Sequence, residues 1–295
     1  MRIVSLLPST TEILFALGAG DDIVGVTFEC DHPPAARGRR IVSTSSLPAG
    51  LSPEEIDRVV SERMAAGEDL YHLDRGALAG LDVDLVVTQD LCAVCAVDVS
   101  DVHDALDYLG CRADVLTIDP HTLDEVLESI RALGKATGTA SRAEELVNHL
   151  RARLDAVSER VAGRRPVPTL VLEWTDPPFA PGHWVPDMVQ AAGGMNVLGT
   201  AGSKSFRTTW ADVAGSAPGV VVSAPCGFGI DESARLAGEL LERRVLPDVP
   251  LWAVDANASF ARPGPRLVDG VEALAGILHS GVVGSPDPDL AVRLA

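Results

Sequence analysis

Cys92-x-x-Cys95 is the sharpest chemical spacing in the chain. Two thiolates so placed chelate one soft metal, or form a redox pair when the first thiol is acidified. They also serve as two small residues packing a wall. One CxxC supplies half of a structural zinc site, and no second CxxC is present. Further ligands for zinc or iron must come from afar, so the metal candidates are Cys30, Cys92, Cys95, His183 and Cys226, with His32 beside them. A second concentration is Glu173-Trp174 and Gly182-His183-Trp184, which flank a proline-rich loop carrying Phe179. Trp174, Phe179 and Trp184 offer flat apolar area at low entropy cost, which suits a large planar ligand. His183 has the chemistry of a metal ligand or general base, and equally of an ordinary loop histidine. If the chain is an enzyme, Cys92, Cys95, Glu173 and His183 are its catalytic candidates, a thiol as ligand or nucleophile and Glu173 or His183 as acid or base. G-x-x-x-x-G-K-[ST], H-E-x-x-H and G-x-S-x-G are all absent, which removes the enzyme classes built on those motifs.

The elements that must position these groups alternate. Strands are expected at Arg2–Leu7, Ile23–Val26, Leu85–Thr88 and Val115–Ile118, with helical patterns between them, including Thr10–Leu17 and His121–Leu133. Val147, Leu150, Leu154, Val157 and Val161 form one apolar stripe on a long helix from about Ser141 to Ala162. The pattern then restarts. Strands are expected at Thr169–Glu173, Gly219–Ser223 and Leu251–Asp255, and helices at Val185–Ala192, Glu232–Glu242 and Leu267–His279. After Gly284 the sequence shows no pattern and reads as a frayed tail. The fold class is therefore α/β: two Rossmann-like lobes with mostly parallel sheets joined by one long rigid helix. The expected boundaries are 1–138, 139–164 for the linking helix, and 165–295.

Ligands of open α/β sheets bind beyond the carboxyl ends of the strands. The loops there hold Pro8, Ser9, Glu29, Cys30, His32, Gln89, Asp90, Trp174, Phe179, Cys226 and the run from Asn257 to Pro265. Ser9 with Glu12 has the spacing of a capping box, and the same helix start could hold a polar or anionic group. Cys111 reads as core, and His72, His103, His121, His149 and His279 receive no function. Ser52-Pro53-Glu54-Glu55 reads as a helix cap with proline at the first helical position.

The 295 residues carry 42 acidic and 24 basic side chains, a net charge of -18. Such a surface repels phosphate backbones and anionic lipid, so the expected partner is a small molecule, with no nucleic acid and no membrane insertion. No apolar run reaches the ~20 residues that span a bilayer. The opening Met-Arg-Ile-Val-Ser-Leu-Leu-Pro reads as a strand and not a leader, so a cytoplasmic protein is expected, periplasmic or surface-anchored only if a leader has been removed. Five cysteines cannot all pair internally.

The segment Arg2 to Gly18 resembles the opening of the helical-backbone, class III substrate-binding proteins of ABC transporters, above all the cobalamin-binding branch. The likeness continues through Val24-Gly-Val26, Asp31-His-Pro-Pro34, Val83 to Val87, Pro177-Pro-Phe179, Ala191 to Gly194, Trp210, Pro218 to Val222 and Arg262-Pro-Gly-Pro-Arg266. It implies a cobalamin or other corrinoid ligand in a cleft between lobes, contacted by Pro8, His32, Phe179, Trp210 and the loop Phe260–Arg262. His32 or His183 would then reach cobalt, and an ABC permease becomes a partner only if the protein is exported. Ser45-Ser46, the stretch from Leu51 to Asp74, the Cys92–Cys95 loop, Glu173-Trp174 and Gly182-His183-Trp184 depart from the vitamin B12 binders. Two readings stand: an intracellular small-molecule binder, and a cytoplasmic enzyme on the same fold with a Cys/His/Glu-lined cleft, with or without a bound metal.

Overall fold

The computed structural model describes residues 1–68, 70–89, 102, 106 and 112–295. Asp90, Cys92, Cys95, His103 and Cys111 lie outside the described residues. The chain divides into two compact units, Met1–Asp119 with Glu128–Val147, and Pro120–Leu127 with Asn148–Ala295. The division passes inside two helices, Leu123–Ala136 and Ala140–Val161. The second has 22 residues and is about 33 Å long. On its apolar stripe Val147, Leu150, Val157 and Val161 are buried.

The first unit holds β1 (Ile3–Ser5), β2 (Ile23–Thr27), β3 (Arg40–Ser45), β4 (Tyr71–Leu73), β5 (Leu85–Thr88) and β6 (Asp114–Thr117). Their order is β4-β3-β2-β1-β5-β6. Every neighbouring pair is parallel except β3 with the edge strand β4. Val4, Leu6, Val42, Val86, Leu73 and Leu78 form one core cluster here. The helix after β1 runs Pro8–Ala16, with Leu7 at its N-cap and no side-chain cap. The capping box expected of Ser9 and Glu12 is therefore absent. Proline, with φ already helical, takes the first position, which pushes Ser9 and Glu12 into the buried body of the helix. Ser52 and Glu55 do form a reciprocal capping box at the helix Pro53–Ala66.

The second unit contributes β7 (Val167–Leu172), β8 (Trp174–Thr175), β9 (Pro178–Ala180), β10 (Gly194–Asn196), β11 (Phe206–Arg207), β12 (Val220–Ser223), β13 (Leu251–Val254) and β14 (Ala291–Arg293). The main sheet runs β10-β7-β12-β13-β14, and β11-β9-β8 form a small sheet of their own. Leu170, Leu172, Val221 and Leu251 pack on one face with Leu240 and Val213. Val171, Val222 and Val254 pack on the other, with Met188, Leu267, Val271 and Leu274. Alternation by twos thus buries both faces, as parallel sheets demand, and each buried leucine contributes roughly 1.5–3 kcal/mol. The tail is not frayed. Ala291–Arg293 pairs antiparallel with β13, and Ala291 is buried, because this edge offered unpaired backbone groups and an apolar surface to cover. Among the described residues no helix is long and apolar enough to cross a membrane.

Candidate functional site

In the second unit β7 has β10 on one side and β12 on the other. The chain order reverses between β7 and β12, and such a switch point opens a crevice at the carboxyl edge. The segments leaving those two strands are Glu173-Trp174 and Cys226 to Phe228. They are joined directly, because the Cys226 N–H donates to the Glu173 carbonyl at 3.0 Å.

Glu173 ties three segments together. Its N–H donates to the Phe179 carbonyl at 3.2 Å. Its carboxylate accepts the Gly182 N–H at 3.1 Å and a short hydrogen bond from the Ser205 hydroxyl. Burial pushes this carboxyl up to about 7, against the pull of the Ser205 and Gly182 donors. Gly182 is required here, since a Cβ would collide with the backbone of Ser203 to Ser205. With both oxygens engaged by its own loops, Glu173 acts as a clamp.

His183 sits in the next turn with φ +49°, a left-handed conformation that a non-glycine residue holds only when its surroundings fix it. Its N–H donates to Ser203 O at 2.6 Å, and its carbonyl accepts from Gly202 N–H at 3.0 Å. Its Nε2 is buried without a hydrogen-bond partner. The His121 ring lies 6.0 Å away, centroid to centroid. Burial, then the charges of His121 and Lys204, hold His183 below the usual histidine value. Trp184 is in the core, its Nε1–H donating to the Phe260 carbonyl at 2.8 Å. Phe260 is buried in the same core cluster.

The small sheet builds a surface. Trp174 lies directly opposite Phe179, and Phe179 directly opposite Arg207. Opposed residues of antiparallel strands share a face, so the three side chains form one row. Phe228 extends it, its ring 5.7 Å from that of Trp174 at 34°. At the other end the Arg207 guanidinium carbon lies 6.0 Å from the Phe179 ring centre. Trp174, Phe179 and Phe228 are half-buried and Arg207 is exposed.

Other expected residues are placed as follows. Trp210 is half-buried against the second core cluster, with Arg243 5.8 Å over its ring. Arg262 is buried, and Cys226 is an exposed thiol. In the first unit Ser9, Cys30 and Gln89 are buried, Pro8 and Glu29 are half-buried, and His32 is exposed. Cys30 Sγ lies 3.0 Å from the Thr11 hydroxyl. Among the described residues no group of three or more His, Cys, Asp or Glu side chains could hold a metal ion. Sequence reading missed Ser205, Arg207 and Phe228 as site residues, set His121 aside, and missed Tyr71, whose hydroxyl lies 3.3 Å from a Glu29 carboxylate oxygen. The sequence distance from Trp174 to Arg207 hides the row, whereas Phe228 stands two residues after Cys226, in the loop that follows the strand expected at Gly219–Ser223.

The chain matches the periplasmic binding protein family over residues 3–218. It is 25% identical to an uncharacterised ABC transporter substrate-binding lipoprotein of Bacillus subtilis, across 93% of this chain and 78% of that one. It is 24% identical to a vitamin B12-binding protein of Vibrio cholerae, across 92% of this chain and 86% of that one. A periplasmic heme binding protein of Pseudomonas aeruginosa has the same fold, with a TM-score of 0.67 at 19% identity, over 100% of this chain and 95% of that one. The family is named for the periplasm, as is the heme binder, and the Bacillus subtilis relative is named a lipoprotein; none of these names supports the cytoplasmic expectation. With its two large sheets, its switch-point loops and a match across most of its length, the chain belongs to the periplasmic binding protein family, as a substrate-binding protein of the ABC-transporter type.

Proposed function

We propose that this protein binds a large, flat metal macrocycle, a corrinoid such as cobalamin before all others, on the aromatic row of its second unit. The observation that carries this is the row itself, Phe228-Trp174-Phe179, half-open at the switch point of a parallel sheet. A row of aromatic rings gives a planar ligand a large contact area without ordering flexible side chains. A relative named for vitamin B12 and a structural neighbour named for heme support the ligand class, since both ligands are planar metal complexes. A neutral imidazole is the form that ligates a metal, and burial holds His183 in that form. Delivery to an ABC permease belongs to this reading where the protein is exported.

The test is a calorimetric titration of reduced, metal-free protein with hydroxocobalamin, followed in parallel by absorbance. One-to-one binding is expected, with a spectral shift if a histidine replaces the upper ligand. Absence of heat and of any shift, with hydroxocobalamin and iron protoporphyrin alike, overturns the reading.

A further inference from the structure

We infer that Arg243 positions the ligand surface: it anchors Asp176, whose backbone carbonyl holds the Trp174 indole, and so fixes the pose of the aromatic row without touching the ligand. The inference rests on the aromatic-row reading and adds to it the residue that holds the middle ring of the row.

A half-buried indole binds a flat ligand best when its side-chain torsions are settled beforehand, because ordering them on binding costs affinity. One tie is local: Trp174 Nε1–H donates to the Asp176 carbonyl at 3.1 Å. That carbonyl belongs to the short turn joining β8 to β9, and the turn is held through its side chain. Asp176 Oδ2 accepts a hydrogen bond from the Arg243 guanidinium at 2.7 Å, although the two residues stand 67 positions apart. Arg243 is the last residue of the helix Ile230–Arg243. A nearer acid, Glu239, lies one turn back on that helix, at the spacing that favours a local pair. Arg235 pairs with Glu239, and Arg243 reaches across to the hairpin. The Trp210 ring centre lies 5.8 Å from its guanidinium carbon, a contact that suits a planar cation. The same helix meets the row at its other end. Phe228, just ahead of the N-cap Gly229, has its ring 5.7 Å from that of Trp174. A helix of 14 residues, about 21 Å long, therefore braces Trp174 from both of its ends, with a ring at one and an ion pair at the other.

The test reads the indole and the affinity together. Protein labelled with nitrogen-15 at its 4 tryptophans gives an indole N–H signal for each in a proton–nitrogen correlation spectrum, and Trp174→Phe identifies that of Trp174. Asp176→Ala is expected to shift the Trp174 signal and speed its exchange with solvent. Arg243→Gln is expected to do the same and to shift the Trp210 signal as well. Calorimetric titration uses hydroxocobalamin and iron(III) protoporphyrin as probes. For whichever the native chain binds, each variant should lose about threefold to fivefold in affinity, and the double variant no more than either single one. Melting temperatures should stay within about 3 °C of the native chain, because a half-exposed ion pair contributes little to stability. A loss of affinity with the Trp174 signal unmoved, a moved signal with affinity unchanged, or losses that add in the double variant overturn the positioning role and leave the aromatic row standing. Should the native chain bind neither probe, or Trp174→Ala keep full affinity, the aromatic-row reading falls and takes this inference with it.

Discussion

The two sheets reach their switch points with opposite chemistry. In the first unit the reversal lies between β1 and β5, and the segment leaving β1 is rich in hydroxyls that satisfy one another. Ser5 bonds Thr10 at 2.7 Å, Thr11 donates to Ser5 at 2.8 Å and to the Leu7 carbonyl at 3.1 Å, and the Cys30 thiol closes on Thr11. All are buried. In the second unit the equivalent place carries rings and a guanidinium that remain half-open or exposed. Hydroxyls that bond inward give a rigid, satisfied scaffold, since a buried polar group without a partner costs about 1–3 kcal/mol. Rings left half-open hold apolar area in reserve for a ligand. The lesson is that equivalent positions of two similar sheets can divide stability and recognition between them.

Glu173 gives the largest expected effect. Its carboxyl, ordinarily at 4.5, titrates at about 7 in the folded chain. Between those values the unfolded chain has given up the proton and the folded chain keeps it. Stability therefore falls as pH rises through that window, by on the order of 3 kcal/mol at most, and is level above it. Glu173→Gln should flatten this slope in denaturant titrations compared between about pH 4.5 and 7.5. Parallel slopes in both proteins would place the titration on another group.

Next comes a crossed pair that can break the comparison outright. Trp174→Ala should weaken macrocycle binding by about 2–3 kcal/mol, as truncation of a central aromatic anchor does, with little change in melting temperature. Thr11→Val should do the reverse. It removes a hydroxyl with three buried partners, so the free energy of unfolding should fall by about 1–3 kcal/mol while affinity stays within about twofold. If Thr11→Val costs affinity as much as Trp174→Ala does, recognition is not confined to the second unit.

Most of the two large sheets was legible in the sequence because their strands are apolar runs: Leu85–Thr88, Val220–Ser223 and Leu251–Val254 could hardly be anything else. Ile3–Ser5 is shorter than the expected Arg2–Leu7, because Pro8 starts the helix so early. The edge strands Tyr71–Leu73 and Ala291–Arg293 were missed, since three residues paired on one side carry almost no pattern of their own. The small sheet was illegible for the same reason, with strands of two or three residues whose partners lie up to 28 positions apart. Trp174 and Phe179 could be picked out by residue type and by position after a strand. Arg207 could not, because a lone arginine in a loop looks like solvated surface until register sets it opposite Phe179. Trp184 shows the converse: residue type pointed to a ligand, and packing placed the ring in the core.

The cysteines give the smallest effect and the finest test. Cys226 is exposed in the segment leaving β12, and Cys30 is buried beside Thr11 in the hydroxyl network. Thiol reactivity follows access of the thiolate to solvent. Labelling of the reduced protein with an aromatic disulfide should therefore show one fast equivalent fewer in Cys226→Ser than in the native chain. Cys30→Ser should leave the fast phase unchanged, and Cys30 should react only when denaturant opens the first unit. A bound macrocycle should slow the Cys226 phase, because the Phe228 ring that lies beside Trp174 in the row sits two residues further on. A fast phase indifferent to macrocycle, at concentrations where tryptophan quenching shows binding, would move the ligand off the row and remove the main support for dividing recognition from scaffold.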